Sequence, residues 1–225
     1  MKIDLHLHSP ASSSNGDSIG WKSLHHALQK LKLHRVKVAS FTDHNTFDAQ
    51  FYLQARQLAK TADIHLLPGI EVDVLRSNDR RANLLIIFDG DLSSAELQKI
   101  EQIARQNLLF KQGISINKVN ELFSDFETLR IPHVGKNDFF CPEDLKLLRY
   151  DAVEVSSFDH PNYRKYCKTD AQKAVVAFSD THVWKKYPQH GKKLITWVPI
   201  NEKSLTALKT ALAQPSVYAR EGEPC

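Results

Sequence analysis

The sequence predicts a small, irregular α/β barrel of parallel strands, with its chemistry gathered where the strands end. Three observations carry that expectation. Short apolar runs alternate along the chain with longer segments whose apolar residues recur at helical spacing. Potential ligands close these runs: His6 and His8 end Ile3–Leu7, Asp43 and His44 follow Val36–Thr42, Glu71 follows Gly69-Ile70, His133 follows Pro132, and Asp180 and His182 follow Val175–Ser179. The strand ends are where α/β barrels and sheets place their active sites. Finally, 225 residues suit one large domain rather than two small ones. That length is near the low end of the roughly 200 to 400 residues usual for a barrel.

In order, residues 2–8 read as a strand, and Leu24, Leu28 and Leu31 mark a helix over 21–33. A strand follows over 36–42. The helix over 46–62 carries Phe51, Ala55 and Leu58 on one face. Strands over 64–74 and 82–88 precede a helix over 92–109 that Ser93 or Ser94 would cap. Residues 114–122 read as a further helix, 131–134 as a short strand, and 142–148 as a short helix with Pro142 at its start. Strands over 152–156, 175–179 and 194–198 and a helix over 204–213 complete the domain, 1–214. Residues 215–225 lack periodicity and read as a C-terminal extension.

Composition narrows the classes. The hydrophobic fraction is 42%, ordinary for a chain with a sizeable core. No run of 18 apolar residues occurs, so no membrane helix and no membrane partner is expected. The chain opens directly on a strand, so the expectation is that no leader precedes the fold. Cys141, Cys167 and Cys225 are odd in number and widely spaced, which fits a reducing cytoplasm better than a disulfide framework. A net charge of +4 and a pI near 8.9 permit a polyanionic substrate without requiring one.

The strongest local signal is His6-Leu7-His8. Residues i and i+2 of a strand share a face, so two imidazoles stand side by side as a clamp for a divalent ion. Alone, such a pair reads equally well as two polar residues on a half-buried strand. The other strand ends decide between the readings. His6-x-His8-Ser9, Thr42-Asp43-His44-Asn45-Thr46, Pro68-Gly69-Ile70-Glu71, His133 and Asp180-Thr181-His182 resemble, in combination and order, the polymerase-and-histidinol-phosphatase (PHP) family of phosphoesterases. The resemblance runs from residue 2 to about 212.

It implies a distorted (β/α)7 TIM-like barrel holding two or three divalent ions at the strand ends. By position, His6, His8, Glu71 and Asp180 would hold the first ion. Glu71 would bridge to a second, shared with His133, and His44 and His182 would hold a third. Imidazole and carboxylate donors favour Zn, Mn or Fe over Mg or Ca. A metal-activated water then needs no side-chain nucleophile. Asp43, His44, Glu71 and Asp180 are the residues expected to carry catalysis, with Asp43 orienting a histidine rather than binding an ion. Two departures from the family pattern stand out. Asn83 occupies the strand position where many relatives carry a second-ion histidine. The loop after His8 offers Ser12, Ser13 and Ser14, with Asp17 as the one carboxylate within reach of the third ion. Fewer than three tightly bound ions are therefore expected.

Other residues keep two readings open. Glu154, in Val153-Glu154-Val155, either lines the cleft or is a buried ion-pair partner. Lys136 either holds substrate phosphate or is a solvated lysine, Arg81 is expected at the substrate, and Arg80-Arg81 and Lys185-Lys186 either grip a nucleic-acid backbone or are solvated charge. His160 reads as a loop residue. His25, His26, His34, His65 and His190 read as surface or packing residues. The expected activity is hydrolysis of a phosphodiester in nucleic acid or a nucleotide. The alternatives are a phosphomonoesterase acting on a small metabolite and a non-catalytic scaffold module. His8–Ser12, Ser179–His182 and Leu205–Leu212 also resemble PHP domains fused to P-loop ATPases, which implies either an ATPase module in the same protein or in a partner subunit or, equally, a free-standing enzyme; the chain has no P-loop signature of its own.

Overall fold

Among the described residues, ten strands form one curved sheet with helices packed outside it. The computed structural model describes residues 1–10, 21–109, 113–135, 140–169, 173–188 and 194–221, and the structural statements that follow concern these. The strands are β1 (Lys2–Leu7), β2 (Val36–His44), β3 (His65–Leu75), β4 (Arg81–Phe88), β5 (Ile114–Ser115), β6 (Thr128–Gly135), β7 (Ala152–Val155), β8 (Ala174–Val176), β9 (Leu194–Trp197) and β10 (Ala219–Glu221). The helices are α1 (Trp21–Leu33), α2 (Ala49–Thr61), α3 (Ser94–Asn107), α4 (Ile116–Leu122), α5 (Pro142–Leu148), α6 (Pro161–Tyr166) and α7 (Leu205–Leu212).

The strand order is β10-β9-β1-β2-β3-β4-β6-β7-β8, with β5 paired to β3. β1, β2 and β3 run parallel, as do β6, β7 and β8. Between these groups β4 runs antiparallel to both neighbours. This departs from the expected all-parallel barrel for a geometric reason. Only residues 76–80 separate β3 from β4, and a parallel crossover needs about a dozen or more. The barrel closes on β1. Thr181, just past β8, bridges Leu7 in the parallel sense. The Asp180 N–H donates to the His6 carbonyl at 2.9 Å, and the His8 N–H donates to the Thr181 carbonyl at 3.0 Å. At the opposite end β9 pairs antiparallel with Lys2 and Ile3. Within the expected extension, β10 pairs with β9 and Val217 bridges Val175.

Period-2 alternation sorts the strands into an inner and an outer face. Leu5, Val38, Leu67, Leu85, Ile87, Leu129, Ile131, Ala152, Ala174, Val176 and Phe178 fill the interior, and Leu205, Leu208 and Leu212 of α7 pack onto that cluster. Outward residues such as Leu7, Phe41, Ile70, Val72, Leu84 and Val153 meet Leu24, Leu28 and Leu31 of α1, Tyr52 and Ala55 of α2, and Leu97 and Ile100 of α3. Further along the same inward rows the side chains turn polar: Ser40 and Thr42 above Val38, Glu71 above Leu67, His133 above Ile131, Glu154 above Ala152. An irregularity in β1 keeps that strand in step. Asp4 pairs with Ala39 and Leu7 with Phe41, so β1 carries one extra residue there. Ile3 and Leu5 therefore face the interior before the bulge, and His6 and His8 after it.

Caps set the helix ends. Asp48 accepts the Phe51 N–H at 2.8 Å, so α2 starts three residues later than expected. Ser93 and Glu96 form a reciprocal capping box on α3. Ser115 caps α4 while pairing with β3, which converts the start of the expected helix over 114–122 into a two-residue strand. No described helix is long and apolar enough to cross a membrane.

Candidate metal centre

β1, β2, β3, β6, β7 and the turn after β8 deliver one polar cluster. His6, His8, Glu71, His133 and Glu154 are buried. Asp180, His182 and His44 stand towards solvent, with side chains 21%, 33% and 42% exposed. Asp180 and the residue after His44 have unusual backbone. Asp180 has φ of 50° and Asn45 φ of 52°, a left-handed conformation that Asp and Asn tolerate better than most residues. The turn carrying Asp180 is tied down on several sides. Asp4 Oδ1 accepts the Ser179 N–H at 3.1 Å, Asp4 Oδ2 accepts the Tyr187 hydroxyl at 3.1 Å, and the Trp184 indole N–H donates to the His8 carbonyl at 3.0 Å.

The donor spacing is the informative measurement. His6 Nε2 lies 3.2 Å from Glu71 Oε2 and 3.3 Å from Asp180 Oδ1. His8 Nε2 lies 3.4 Å from Glu71 Oε2 and 3.3 Å from Asp180 Oδ1. A tetrahedral ion with bonds of about 2.0–2.1 Å sets its ligands roughly 3.3 Å apart. Among the described residues, neither ring nitrogen of His8 and neither Glu71 Oε2, Ser40 Oγ nor Thr42 Oγ1 finds a hydrogen bond. Buried polar atoms left so are rare and costly. Of these atoms, His8 Nε2 and Glu71 Oε2 crowd a common point with His6 Nε2 and Asp180 Oδ1, and a cation there would satisfy them together. The residues therefore fit a divalent ion.

Two further groups adjoin. His44 Nδ1 is 3.1 Å from Glu71 Oε2, and the His8 ring sits 3.8 Å from that of His182 and 4.7 Å from that of His44, measured between centroids. His182 Nδ1 lies 3.1 Å from the Asp180 carbonyl oxygen; donating there leaves Nε2 as the ligating nitrogen. On the other side, His6 Nδ1 lies 2.9 Å from Glu154 Oε2, and His133 Nε2 lies 2.8 Å from the same oxygen. A carboxylate behind a ligating imidazole fixes its tautomer and orientation.

Burial pushes the His8 imidazole down to about 4, so the ring is neutral and able to ligate at ordinary pH. Burial opposes ionisation of Glu71, but His6, His133 and His44 around it outweigh that and hold the carboxyl well below its usual range. Burial raises Asp43, against hydrogen bonds from Ser9. Those bonds define Asp43's place: its two oxygens accept the Ser9 N–H at 2.7 Å and the Ser9 hydroxyl at 2.6 Å, while His8 Nδ1 is 3.9 Å away. Asp43 thus latches the end of β1 to β2 and touches a histidine only loosely.

Of the residues singled out from sequence, His6, His8, His44, Glu71, His133, Asp180 and His182 converge. Arg81 stands on the β3–β4 hairpin, more than half exposed, with Nη1 3.3 Å from Asp73 Oδ2. Asp17 and Lys136, with the serine loop, lie outside the described residues. Asn83 points at Asp73, its amide donating to Oδ1 at 3.1 Å. Lys185 and Lys186 are exposed just beyond His182. His160 caps α6 by accepting the Asn162 N–H at 3.2 Å. Glu154, held at two readings in the sequence, is brought into the centre by its register opposite His133.

No family model matches the chain, and no curated protein matches it. Solved structures do. The lesion-specific endonuclease PfuEndoQ from Pyrococcus furiosus superposes with a TM-score of 0.61 at 12% identity, over 94% of this chain and 55% of that one. The chain thus spans about half of that endonuclease. A candidate metal-dependent phosphoesterase from Bifidobacterium adolescentis gives 0.56 at 13% identity, over 93% of this chain and 95% of that one. An amidohydrolase from Chromobacterium violaceum, solved with sulfate and without metal, gives 0.55 at 13% identity over 81% and 88%. The likeness shows the barrel fold.

Proposed function

We propose that this chain is a metal-dependent phosphoesterase that cleaves a phosphodiester in nucleic acid or a nucleotide. One observation carries the metal-dependent part: the donors of His6, His8, Glu71 and Asp180 stand 3.2–3.4 Å apart, and His8 and Glu71 Oε2 lack hydrogen bonds among the described residues. Glu71 and Asp180 supply charge, and the neutral imidazoles supply nitrogen lone pairs without adding more. When bound, divalent ions of the Zn, Mn or Fe kind supply Lewis acidity for a phosphoryl oxygen and lower the pKa of a water. Asp4, Tyr187 and Trp184 fix the turn that presents Asp180, while Asp43 fixes the end of β1. His44 and His182, with side chains partly exposed at the mouth, would be the residues that meet substrate. The diester preference is supported by the basic charge and by exposed Lys185 and Lys186 just beyond His182. The neighbours' own activities add only that the scaffold suits hydrolysis.

The test compares bis(p-nitrophenyl) phosphate with p-nitrophenyl phosphate, with added Mn²⁺ or Zn²⁺ and after chelation. Diester turnover should vanish on chelation, return with metal, and be absent from a folded His8→Ala variant. Undiminished activity after chelation would refute metal dependence. A monoester turned over faster than every DNA, RNA and nucleotide tried would refute the substrate class.

A further inference from the structure

We propose that Glu154 is a ligand of the second ion, completing a site with His133 and Glu71. This rests on the metal-dependent reading above. His133 is flanked in the sheet by two polar residues. On one side β6 and β7 pair it directly with Glu154. On the other, the antiparallel register of Leu84 with Pro132 and Leu85 with Ile131, continued by one residue, brings Asn83 alongside. Asn83 is engaged elsewhere. Its amide nitrogen donates to Asp73, whose carboxylate also receives Asn45 Nδ2 at 3.0 Å and Arg81 Nη1 at 3.3 Å. An amide oxygen is a weak donor for Zn, Mn or Fe in any case.

Glu154 has the opposite character. It is fully buried, and its Oε2 lies 2.8 Å from His133 Nε2, with Glu71 Oε1 3.9 Å from that same nitrogen. Donors about 3 Å apart match neighbouring ligands on one ion. Charge points the same way. One divalent ion balances Glu71 and Asp180; the Glu154 carboxylate then stays buried against His6 and His133, and both rings must be neutral at their ligating nitrogens to bind metal. The His6 Nδ1–H serves one oxygen. With the His133 proton on Nδ1, the Nε2 lone pair and Glu154 Oε2, 2.8 Å apart, converge on a cation between them. The second-ion carboxylate thus enters from the β7 side of His133, whereas the family resemblance implies a histidine from the β4 side.

Glu154→Gln separates this role from a purely orienting one. The glutamine oxygen still accepts the His6 Nδ1–H, so an orienting role survives, whereas an amide ligates poorly. Metal content should be measured by mass spectrometry on desalted protein loaded with Mn²⁺, alongside the electron paramagnetic resonance signal of a coupled Mn²⁺ pair. Wild type should hold the pair. Glu154→Gln should keep the first ion, bind the second about tenfold or more weakly, and lose the coupled signal. The double variant Asn83→His/Glu154→Gln should regain the second ion, which also shows the fold intact. An unchanged pair in Glu154→Gln, or loss of both ions together, would overturn the assignment. Absence of any ion from wild type would instead overturn the metal-dependent reading itself.

Discussion

Gly69 is the residue where packing and the metal centre meet most tightly, and Gly69→Ala tests both. Gly69 sits on the inward row of β3 between Leu67 and Glu71, directly beside Thr42 of β2. A Cβ there would stand 2.4 Å from Ser40 Oγ, 2.8 Å from Thr42 Cγ2 and 3.0 Å from Ile87 Cδ1. Thr42 is stiff at χ1 and buried, so it cannot swing clear. The strain must pass into the backbone of β2 and β3, and Glu71 lies two residues along. Overpacking of this kind costs about 1–3 kcal/mol. For a chain of this size each kcal/mol lowers Tm by roughly 2–4 °C, so a fall of about 2–12 °C is expected. Weaker metal binding should accompany it. Ser40→Ala removes the nearest clashing atom, so Ser40→Ala/Gly69→Ala should recover part of the loss, a coupling above about 0.5 kcal/mol. Urea unfolding followed by circular dichroism measures both. Stability of Gly69→Ala within about 0.5 kcal/mol of wild type, or strictly additive effects in the double variant, would refute the packing argument.

Other expectations follow from the same geometry. His8 takes up a proton near pH 6.5 when unfolded but only near 4 when folded, so the unfolded state binds more protons in between. Metal-free protein should therefore lose up to about 3 kcal/mol relative to His8→Gln as pH falls from 6.5 to 4; parallel stability curves for the two would contradict this. Tyr187→Phe removes the hydroxyl that bonds buried Asp4, and should cost about 1–3 kcal/mol by urea unfolding and loosen the Asp180 turn, seen as weaker Mn²⁺ binding. Ser93→Ala breaks the α3 capping box and should lower stability by about 1 kcal/mol while leaving metal content unchanged.

Much of this was legible in the sequence because barrel strands carry their chemistry at one end. His6 and His8 share a face at any register, and the helical spacing of Leu24, Leu28 and Leu31 holds whatever covers it. The reversal of β4 went against the expected parallel order, although the short link between Leu75 and Arg81 leaves no room for a parallel crossover. What escaped depended on neighbours distant in sequence. Val153-Glu154-Val155 looks alike whether its carboxylate meets a lysine or two histidines; only the pairing of β7 with β6 decides. α6 is six residues long, too short for periodicity, although Pro161 behind a capping His160 marks its start. β10 shows no alternation, since three residues at a sheet edge need only backbone partners.

The most direct measurement is the divalent-metal content of desalted wild type and Glu71→Gln, read with their diester turnover and circular dichroism. Glu71 stands within 3.2–3.4 Å of His6 and His8 and 3.9 Å of His133, so it serves both donor groups. Wild type should retain two ions per chain and turn over, while folded Glu71→Gln should retain at most one and be inactive. Wild type that takes up no Mn²⁺ or Zn²⁺ even at millimolar concentration, or Glu71→Gln with wild-type metal content, would contradict the assignment of this cluster as the metal centre.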